Sequence, residues 1–200
     1  MPTTRKISTL RLIERMGLVR PRELEAHDIS RAQLSRLVKA GLVIREARGI
    51  YVAARHRPTA AHTLVHVAKR VPEGIVCLLT ALRFHGLTTQ SAPEIWIALP
   101  EKARRPSLDY PRLRVARFSG AALTEGIEVH RAEGVDIRVY SAAKTVADCF
   151  KYRNKVGIDV AVEALRDFTR KHRGGANDLA RFARICRVSR VMQPYLDAIA

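Results

Sequence analysis

Residues 30–51, SRAQLSRLVKAGLVIREARGIY, decide the fold of the N-terminal part of the chain. Leu34, Leu37 and Val38 recur at the spacing of one face of a helix, and Gly41 follows the last of them. Two short β-prone runs come next, separated by an Arg-Gly pair. The stretch therefore predicts a short helix that ends at a glycine and leads directly into a β-hairpin.

Two further helices are predicted ahead of this stretch. Residues 8–16 carry an apolar stripe that ends at Gly17. Pro21 suits the first turn of a short second helix, roughly residues 21–26, because a first-turn residue needs no backbone donor. Helix, helix, helix and hairpin within fewer than 60 residues is the order of a winged helix-turn-helix.

The remaining residues predict a mixed domain. Alternating or β-branched runs predict strands at residues 94–99, 113–118, 127–131 and 135–140. Helical periodicity predicts helices at residues 60–71 and 74–84 and returns after residue 140. The fold class is therefore α+β, with an N-terminal winged helix-turn-helix over residues 1–57. A mixed α/β domain with a small sheet and a C-terminal helical segment follows over residues 58–200.

The 200-residue chain is strongly basic. Its 36 Lys and Arg residues against 19 Asp and Glu residues give a formal net charge of +17, which favours polyanions such as nucleic acid. Positive charge is densest in residues 1–57. No apolar run suits a membrane span or a secretory signal, so we expect a cytoplasmic protein. Cys77, Cys149 and Cys186 are too scattered for a disulfide framework, and we expect buried thiols.

A helical wheel of the third helix turns its polar residues outward when Leu34, Leu37 and Val38 face the core. In a major groove, Arg36 would pair with guanine and Gln33 with adenine. Phosphate contacts would come from the outward serines and lysine and from the arginines of the hairpin. The predicted DNA-binding residues are Ser30, Arg31, Gln33, Ser35, Arg36, Lys39, Arg45 and Arg48. A solvated helix face is the alternative, but helix and arginine-bearing hairpin together favour DNA binding. Arg5 and Lys6 could form a further arm ahead of the first helix.

The stretch ISRAQLSRLVKAGLVIREARGIYV, residues 29–52, resembles the winged helix of AbiEi-type antitoxins of type IV toxin–antitoxin systems. The resemblance extends through CLLTALRFHGLTTQ (77–90), EIWIALP (94–100) and YSAAKTVADCFKYRNKVGIDVAVEAL (140–165), with Thr80 where such proteins commonly carry Ser. It implies an autorepressor that binds repeats in its own promoter. It also implies that the second domain counteracts a cognate nucleotidyltransferase toxin, with direct binding to that toxin left open.

The second domain lacks the signature of an enzyme. It contains no G-x-S-x-G, phosphate loop or Gly-rich dinucleotide turn. His62 and His66 are four residues apart but lack the glutamate of the zinc-protease pattern, so we expect a structural role and neither metal nor cofactor. Asp109 and Glu128 are the nearest acidic pair for a metal-dependent nuclease, the least favoured alternative. A ligand-responsive winged-helix transcription factor is the other alternative.

Two polar groups of the second domain are further candidates. Lys144 and Asp148 are expected on the outer face of their helix, as a surface pair or as part of a surface for antitoxicity. Three arginines recur every three residues opposite the apolar stripe of the last predicted helix, at Arg181, Arg184 and Arg187. A phosphate-binding surface and a solvated face both remain open for these arginines.

Overall fold

The computed structural model describes the backbone of residues 2–199 and the side chains of residues 7–199. The chain divides into two compact units. The first reaches to Pro72 and also includes Arg131–Ile137, and the second comprises Glu73–His130 and the chain from Arg138 onward. The first unit thus extends beyond residues 1–57, and the independence of that shorter segment stays a prediction.

Up to Pro72, the first unit contains four helices and a hairpin within the described part of the chain. These are α1 (Pro2–Met16), α2 (Pro21–Glu25), α3 (Arg31–Lys39), β1 (Val43–Ala47), β2 (Ile50–Ala53) and α4 (His62–Arg70). Helix α1 begins earlier than predicted, so Arg5 and Lys6 lie within it rather than ahead of it. Their side chains lie outside the described ones.

Local signals explain how α3 and the hairpin begin and end. Ser30 caps α3, and Gly41 follows the C-cap with a φ of 67° that favours glycine. Strands β1 and β2 pair antiparallel with Arg45 opposite Tyr51, and Gly49 takes a φ of 73° in the turn. A bridge between Val19 and Tyr51 adds a third short extended segment. The predicted order of helices and wing is confirmed.

The core of the first unit joins these elements. Ile13 of α1, Leu24 of α2, Leu34 and Leu37 of α3 and Val43 of β1 are all buried in one cluster. Helix α2 is only five residues long, too short to be stable alone, so its packing through Leu24 holds it in place.

The second unit packs helices on a mixed sheet. Its elements are β3 (Ile75–Val76), α5 (Leu78–Phe84), β4 (Ile95–Pro100), β5 (Leu113–Phe118), α6 (Ala121–Thr124), β6 (Ile127–Ala132), β7 (Val135–Tyr140), α7 (Ala142–Lys151), α8 (Arg153–Val156), α9 (Ile158–Lys171), α10 (Ala176–Ile185) and α11 (Ser189–Asp197). Residues 131–137, which include the turn between β6 and β7, belong to the first unit. The strand order is β5-β4-β3-β7-β6. Strand β3 pairs antiparallel with β4 and parallel with β7, and β4 pairs parallel with β5. The predicted α+β class is confirmed.

Two elements of this unit differ from the sequence-based expectation. Residues 75 and 76 form the central strand rather than part of a helix, because a short apolar run does not distinguish a buried strand from a helix. Helix α11 follows the helix predicted to be last, with Pro194 inside it. Within the described chain, no helix combines the length and apolar character that crossing a bilayer requires.

Candidate nucleic-acid interface

Helix α3 divides into a buried and an exposed face as its periodicity predicts. Leu34 and Leu37 are 4% and 3% exposed. Ser35, Arg36 and Lys39 are exposed to solvent. The predicted orientation of these side chains is therefore confirmed, while their contact with DNA stays a prediction.

The first turn of α3 is held by a capping box. The Ser30 backbone N–H donates to Gln33 Oε1 at 2.8 Å, and the Gln33 N–H donates to Ser30 Oγ at 3.3 Å. The side-chain oxygen of Gln33, Oε1, thus already accepts a hydrogen bond. A bidentate contact to adenine would first require this hydrogen bond to break. The structure accordingly favours Arg36 over Gln33 as the residue that contacts a base edge.

The charged residues of α3 differ in their partners. Arg31 Nε donates to Glu25 Oε1 at 2.8 Å, in an ion pair whose side chains are 77% and 43% exposed. Among the residues that the structure describes, none forms a hydrogen bond or ion pair with the side chain of Arg36 or Lys39. These two cations are therefore available to an external anion without the loss of an internal contact.

The hairpin places two more cations beside α3 in the first unit. Arg45 on β1 and Arg48 in the turn are exposed. Arg70 of α4 donates through Nη1 to the Arg48 backbone carbonyl oxygen at 3.2 Å, and this hydrogen bond helps to hold the turn. A Cβ added at Gly49 would meet no atom within 4 Å, so the positive φ rather than crowding accounts for glycine at this position.

A histidine–glutamate cluster lies in the same unit, formed by Glu46, His56, His62, His66 and Glu133. His62 links its two halves, because its Nδ1 is 2.8 Å from Glu133 and its Nε2 is 2.8 Å from Glu46. Glu46, His56 and Glu133 were not predicted from the sequence to belong to this cluster. They lie on a strand, a loop and a distant hairpin turn, and no local spacing connects them.

Hydrogen bonds to Glu133 shift pKa values within the cluster. Burial raises the pKa of this carboxyl, but donation from the Thr59 backbone, His62, the Thr59 hydroxyl and His56 outweighs burial and lowers the pKa to about 2. Burial lowers the pKa of His62, whereas hydrogen bonds to Glu133 and Glu46 raise it above its ordinary value. Glu133 is therefore a negative charge that both His56 and His62 contact.

The expectation that Lys144 and Asp148 lie on an outer helix face is wrong. Their side chains are 0% and 1% exposed, and Lys144 Nζ is 2.6 Å from each oxygen of Asp148. Helix α7 is packed by α5, α9 and α10, so the face opposite its apolar stripe is covered as well. A buried pair does not form a surface, and these residues cannot serve as an exposed contact for antitoxicity.

The buried pair is nevertheless fully partnered. Lys144 Nζ also lies 4.2 Å from the ring centroid of Tyr140, and Cys186 Sγ donates to Asp148 at 3.2 Å. Burial raises the pKa of Asp148 to about 6, although attraction and hydrogen bonding from Lys144 and a hydrogen bond from Cys186 oppose this shift. The pair ties α7 to the segment that follows α10.

A polar cavity of about 480 Å³ lies beside this pair in the second unit. Arg117, Lys151 and Arg187 contribute cations to its lining, and Glu101 and Asp148 contribute carboxyl groups.

The three cysteines are buried and free, as expected from their spacing.

The arginine row and the acidic pair of the sequence analysis are not assembled as expected. Arg181 pairs with Glu125, and Arg187 lies beyond the end of α10 with a φ of 59°, so the row is not one helix face. Asp109 lies between β4 and β5, whereas Glu128 lies on β6 at the opposite edge of the sheet. Neither belongs to a described group of His, Cys, Asp and Glu side chains close enough to share a metal.

Comparison with known proteins finds a similarity for part of the first unit. Residues 9–54 match the family described as transcriptional regulator, AbiEi antitoxin, and they span α1 through the hairpin. A search of curated proteins finds no match. The motifs at residues 77–90, 94–100 and 140–165 lie outside the matched range, so their resemblance stays a prediction. Residues 9–54 of the chain are thus similar to the AbiEi antitoxin family of transcriptional regulators.

Proposed function

We propose that the chain is a double-stranded DNA-binding autorepressor that acts as the antitoxin of a type IV toxin–antitoxin system. The observation that carries this proposal is the exposed pair Arg36 and Lys39, which has no side-chain partner among the described residues, on a helix followed at once by an arginine-bearing hairpin. The family match over residues 9–54 supports the regulatory role. The proposal is of a regulatory rather than a catalytic protein.

Each part of the winged helix has a distinct proposed role. Helix α3 enters the major groove, where Arg36 donates to guanine O6 and N7. Lys39 and Ser35 contact phosphates, which positions the helix without specifying sequence. Arg45 and Arg48 contact the flanking backbone or minor groove from the hairpin. Repeats in the promoter of the chain's own operon are the proposed operator, bound by a dimer or by adjacent monomers.

The DNA-binding test compares the upstream promoter fragment with an unrelated fragment of equal length. Gel shifts and footprinting of the parent chain should show preferential protection of repeats in the promoter. The Arg36→Ala/Lys39→Ala variant should lose that preference. Arg166→Ala removes one charge from an exposed position on α9 and serves as the control that should bind as the parent does. Equal binding by the parent and the double variant would exclude α3 as the DNA-contacting element.

The antitoxin role is tested separately from DNA binding. Co-expression of the chain with an adjacent nucleotidyltransferase gene should relieve the growth arrest that the toxin alone causes. A truncated chain that ends at Pro72 is not used, because the first unit also includes residues 131–137. A full-length Arg36→Ala/Lys39→Ala variant should still neutralise, because the proposed toxin-opposing function belongs to the second unit. Persistent growth arrest with the parent chain would reject the antitoxin role.

A ligand-responsive transcription factor is the second candidate, favoured by the polar cavity lined by Arg117, Lys151 and Arg187. Three cations at one cavity suit a small anionic ligand. This candidate predicts that an anionic metabolite changes operator affinity, and that the chain does not neutralise any adjacent toxin. The less favoured nuclease alternative predicts plasmid degradation with Mg²⁺ or Mn²⁺ that stops on chelation.

A further inference from the structure

Three side chains of the first unit bring possible metal-ligand atoms within 4.8 Å of one another: Glu46, His62 and His66. His62 and His66 lie one turn apart on α4, and their rings are 4.9 Å apart at 77°. His62 Nε2 is 2.8 Å from Glu46 Oε1, and His66 Nε2 is 3.3 Å from Glu46 Oε2. Ligands about 2.0–2.2 Å from a tetrahedral ion lie roughly 3.4 Å from one another. The spacing of these three groups is therefore compatible with ligands of one metal ion after the side chains adjust.

A second carboxylate orients His62 for this role. His62 Nδ1 donates to Glu133 Oε2 at 2.8 Å. Because a neutral imidazole carries one N–H, the Nε2 then presents its lone pair to the Glu46 carboxylate. Two acceptors at 2.8 Å repel one another unless a cation or a second proton lies between them. Metal-binding histidines commonly donate their other ring nitrogen to a carboxylate in this manner.

The position of Glu133 is itself well determined. Its side chain is 1% exposed and accepts hydrogen bonds from the Thr59 backbone and hydroxyl at 2.7 Å each and from His56 at 2.8 Å. Its backbone has a φ of 49°, an unusual conformation for a residue other than glycine. A Cβ at Gly17 would collide with the Glu133 carbonyl, so glycine there permits the close approach of the turn. The supporting carboxylate is thus built into the fold of the first unit.

We propose that Glu46, His62 and His66 form a binding site for a divalent transition-metal ion, with Glu133 as the supporting carboxylate of His62. The ligand side chains are 15% to 26% exposed, which leaves room for a water molecule at the fourth position. Two imidazoles and one carboxylate suit Zn²⁺, whereas all-oxygen sets suit Mg²⁺ and Ca²⁺ and thiolates select Cu⁺. Zn²⁺ is the expected ion.

A metal at this site would connect the wing to α4. Glu46 lies on β1 beside Arg45, and both histidines lie on α4. Coordination would therefore restrain the strand that carries the wing arginines. Metal binding at this site requires no DNA, and DNA is left out of the experiment that tests it.

The test measures zinc binding to the tag-free, full-length chain after chelator treatment. Competition with a chromophoric zinc indicator should give one bound ion per chain for the parent. The His66→Ala and Glu46→Gln variants should lose this ion. Glu133→Gln should keep one ion but bind it about 10- to 100-fold more weakly, because the supporting carboxylate is lost. Cobalt(II) bound in place of zinc should give visible ligand-field bands without sulfur charge transfer.

His27→Ala is the matched control, because His27 is an exposed histidine of the same unit outside the cluster. This variant should bind one ion with the affinity of the parent. Circular dichroism of the zinc-free variants reports whether each is folded. For any variant that fails to fold, zinc titration of the parent followed by the side-chain ¹⁵N resonances of His62 and His66 replaces it. Those resonances should shift together and saturate at one equivalent.

Two outcomes would overturn the proposal. One is the absence of stoichiometric zinc binding by the parent, which would leave a second proton as the cation between His62 and Glu46. The other is equal zinc affinity in the parent and a folded His66→Ala variant, which would place any bound ion elsewhere.

Discussion

Helices α3 and α7 are nearly equal in length, at nine and ten residues, yet they treat their charged residues in opposite ways. Helix α3 exposes Arg36 and Lys39 opposite a narrow apolar stripe. Helix α7 buries Lys144 and Asp148 together with the rest of the helix from Ala142 to Phe150. A helical wheel shows which residues share a face of a helix. It does not show how many of those faces are covered by other helices and strands.

The physical difference lies in the neighbours of the two helices. Helix α3 packs on α2 and β1, so one side remains open. Helix α7 packs on α5, α9 and α10, and the small residues Ala142, Ala143 and Ala147 allow close approach. Charged residues are therefore exposed to solvent on α3, whereas on α7 they form an internal ion pair.

We expect the greatest loss of stability for Asp148→Ala, because this substitution leaves the buried Lys144 ammonium without its partner. We expect a loss of about 3–5 kcal/mol in the free energy of unfolding, measured by urea denaturation. Glu25→Ala removes the partner of Arg31 in an exposed pair and should cost no more than about 1 kcal/mol. A Lys144→Met/Asp148→Leu variant removes both charges and should lie nearer the parent than Asp148→Ala does. Similar losses for Asp148→Ala and Glu25→Ala would contradict the buried assignment.

The next substitution is expected to change DNA affinity rather than stability. Arg36→Ala should weaken binding to the specific operator by about 1–3 kcal/mol, because one bidentate base contact is lost. Binding to unrelated DNA should change less, and the free energy of unfolding should stay within about 0.5 kcal/mol of the parent because Arg36 is exposed. Fluorescence anisotropy with both DNAs checks the difference. An equal loss on both sequences would assign Arg36 to phosphate contact instead.

Removal of the α3 cap should have a smaller effect on stability. Ser30→Ala deletes the hydroxyl that accepts from the Gln33 N–H, and we expect a loss of about 1 kcal/mol in the free energy of unfolding. Ser35→Ala removes a hydroxyl from an exposed interior position of the same helix and is the matched control. Thermal unfolding should show a lower midpoint for Ser30→Ala alone. Equal midpoints would show that the cap does not limit the stability of this helix.

The smallest effect is expected at the wing. Arg48→Ala should weaken binding to every DNA sequence alike and reduce the slope of log affinity against log salt by about 1, since one phosphate contact is lost. Affinities measured over a series of salt concentrations give the slope. The Arg166→Ala control should leave it unchanged. A sequence-dependent loss for Arg48→Ala would instead indicate a contact with base edges in the minor groove.

Residues close in sequence account for most of what could be predicted. The Leu34, Leu37 and Val38 periodicity, the Ser30 cap and the glycine turn at Gly49 are local signals, and α3 and the hairpin follow them. Strand β3 was not predicted, because a run of two residues is too short to show a hydrophobic period. Its strand identity depends on pairing with β4 and β7.

Long-range packing decided the remaining features. Sequence spacing placed Lys144 and Asp148 four residues apart and able to pair, but only the covering helices made that pair internal. His62 and His66 were visible as a spaced pair, whereas Glu46 and Glu133 join them through strand and turn positions 16 and 71 residues from His62.

The amino-acid sequence by itself determined the winged helix and its outward arginines, because capping, periodicity and turn geometry act over a few residues. The burial of Lys144 with Asp148 and the assembly of the histidine–glutamate cluster were decided only by tertiary structure. Both require contacts between distant segments, and those contacts form only when the hydrophobic faces of several elements pack together.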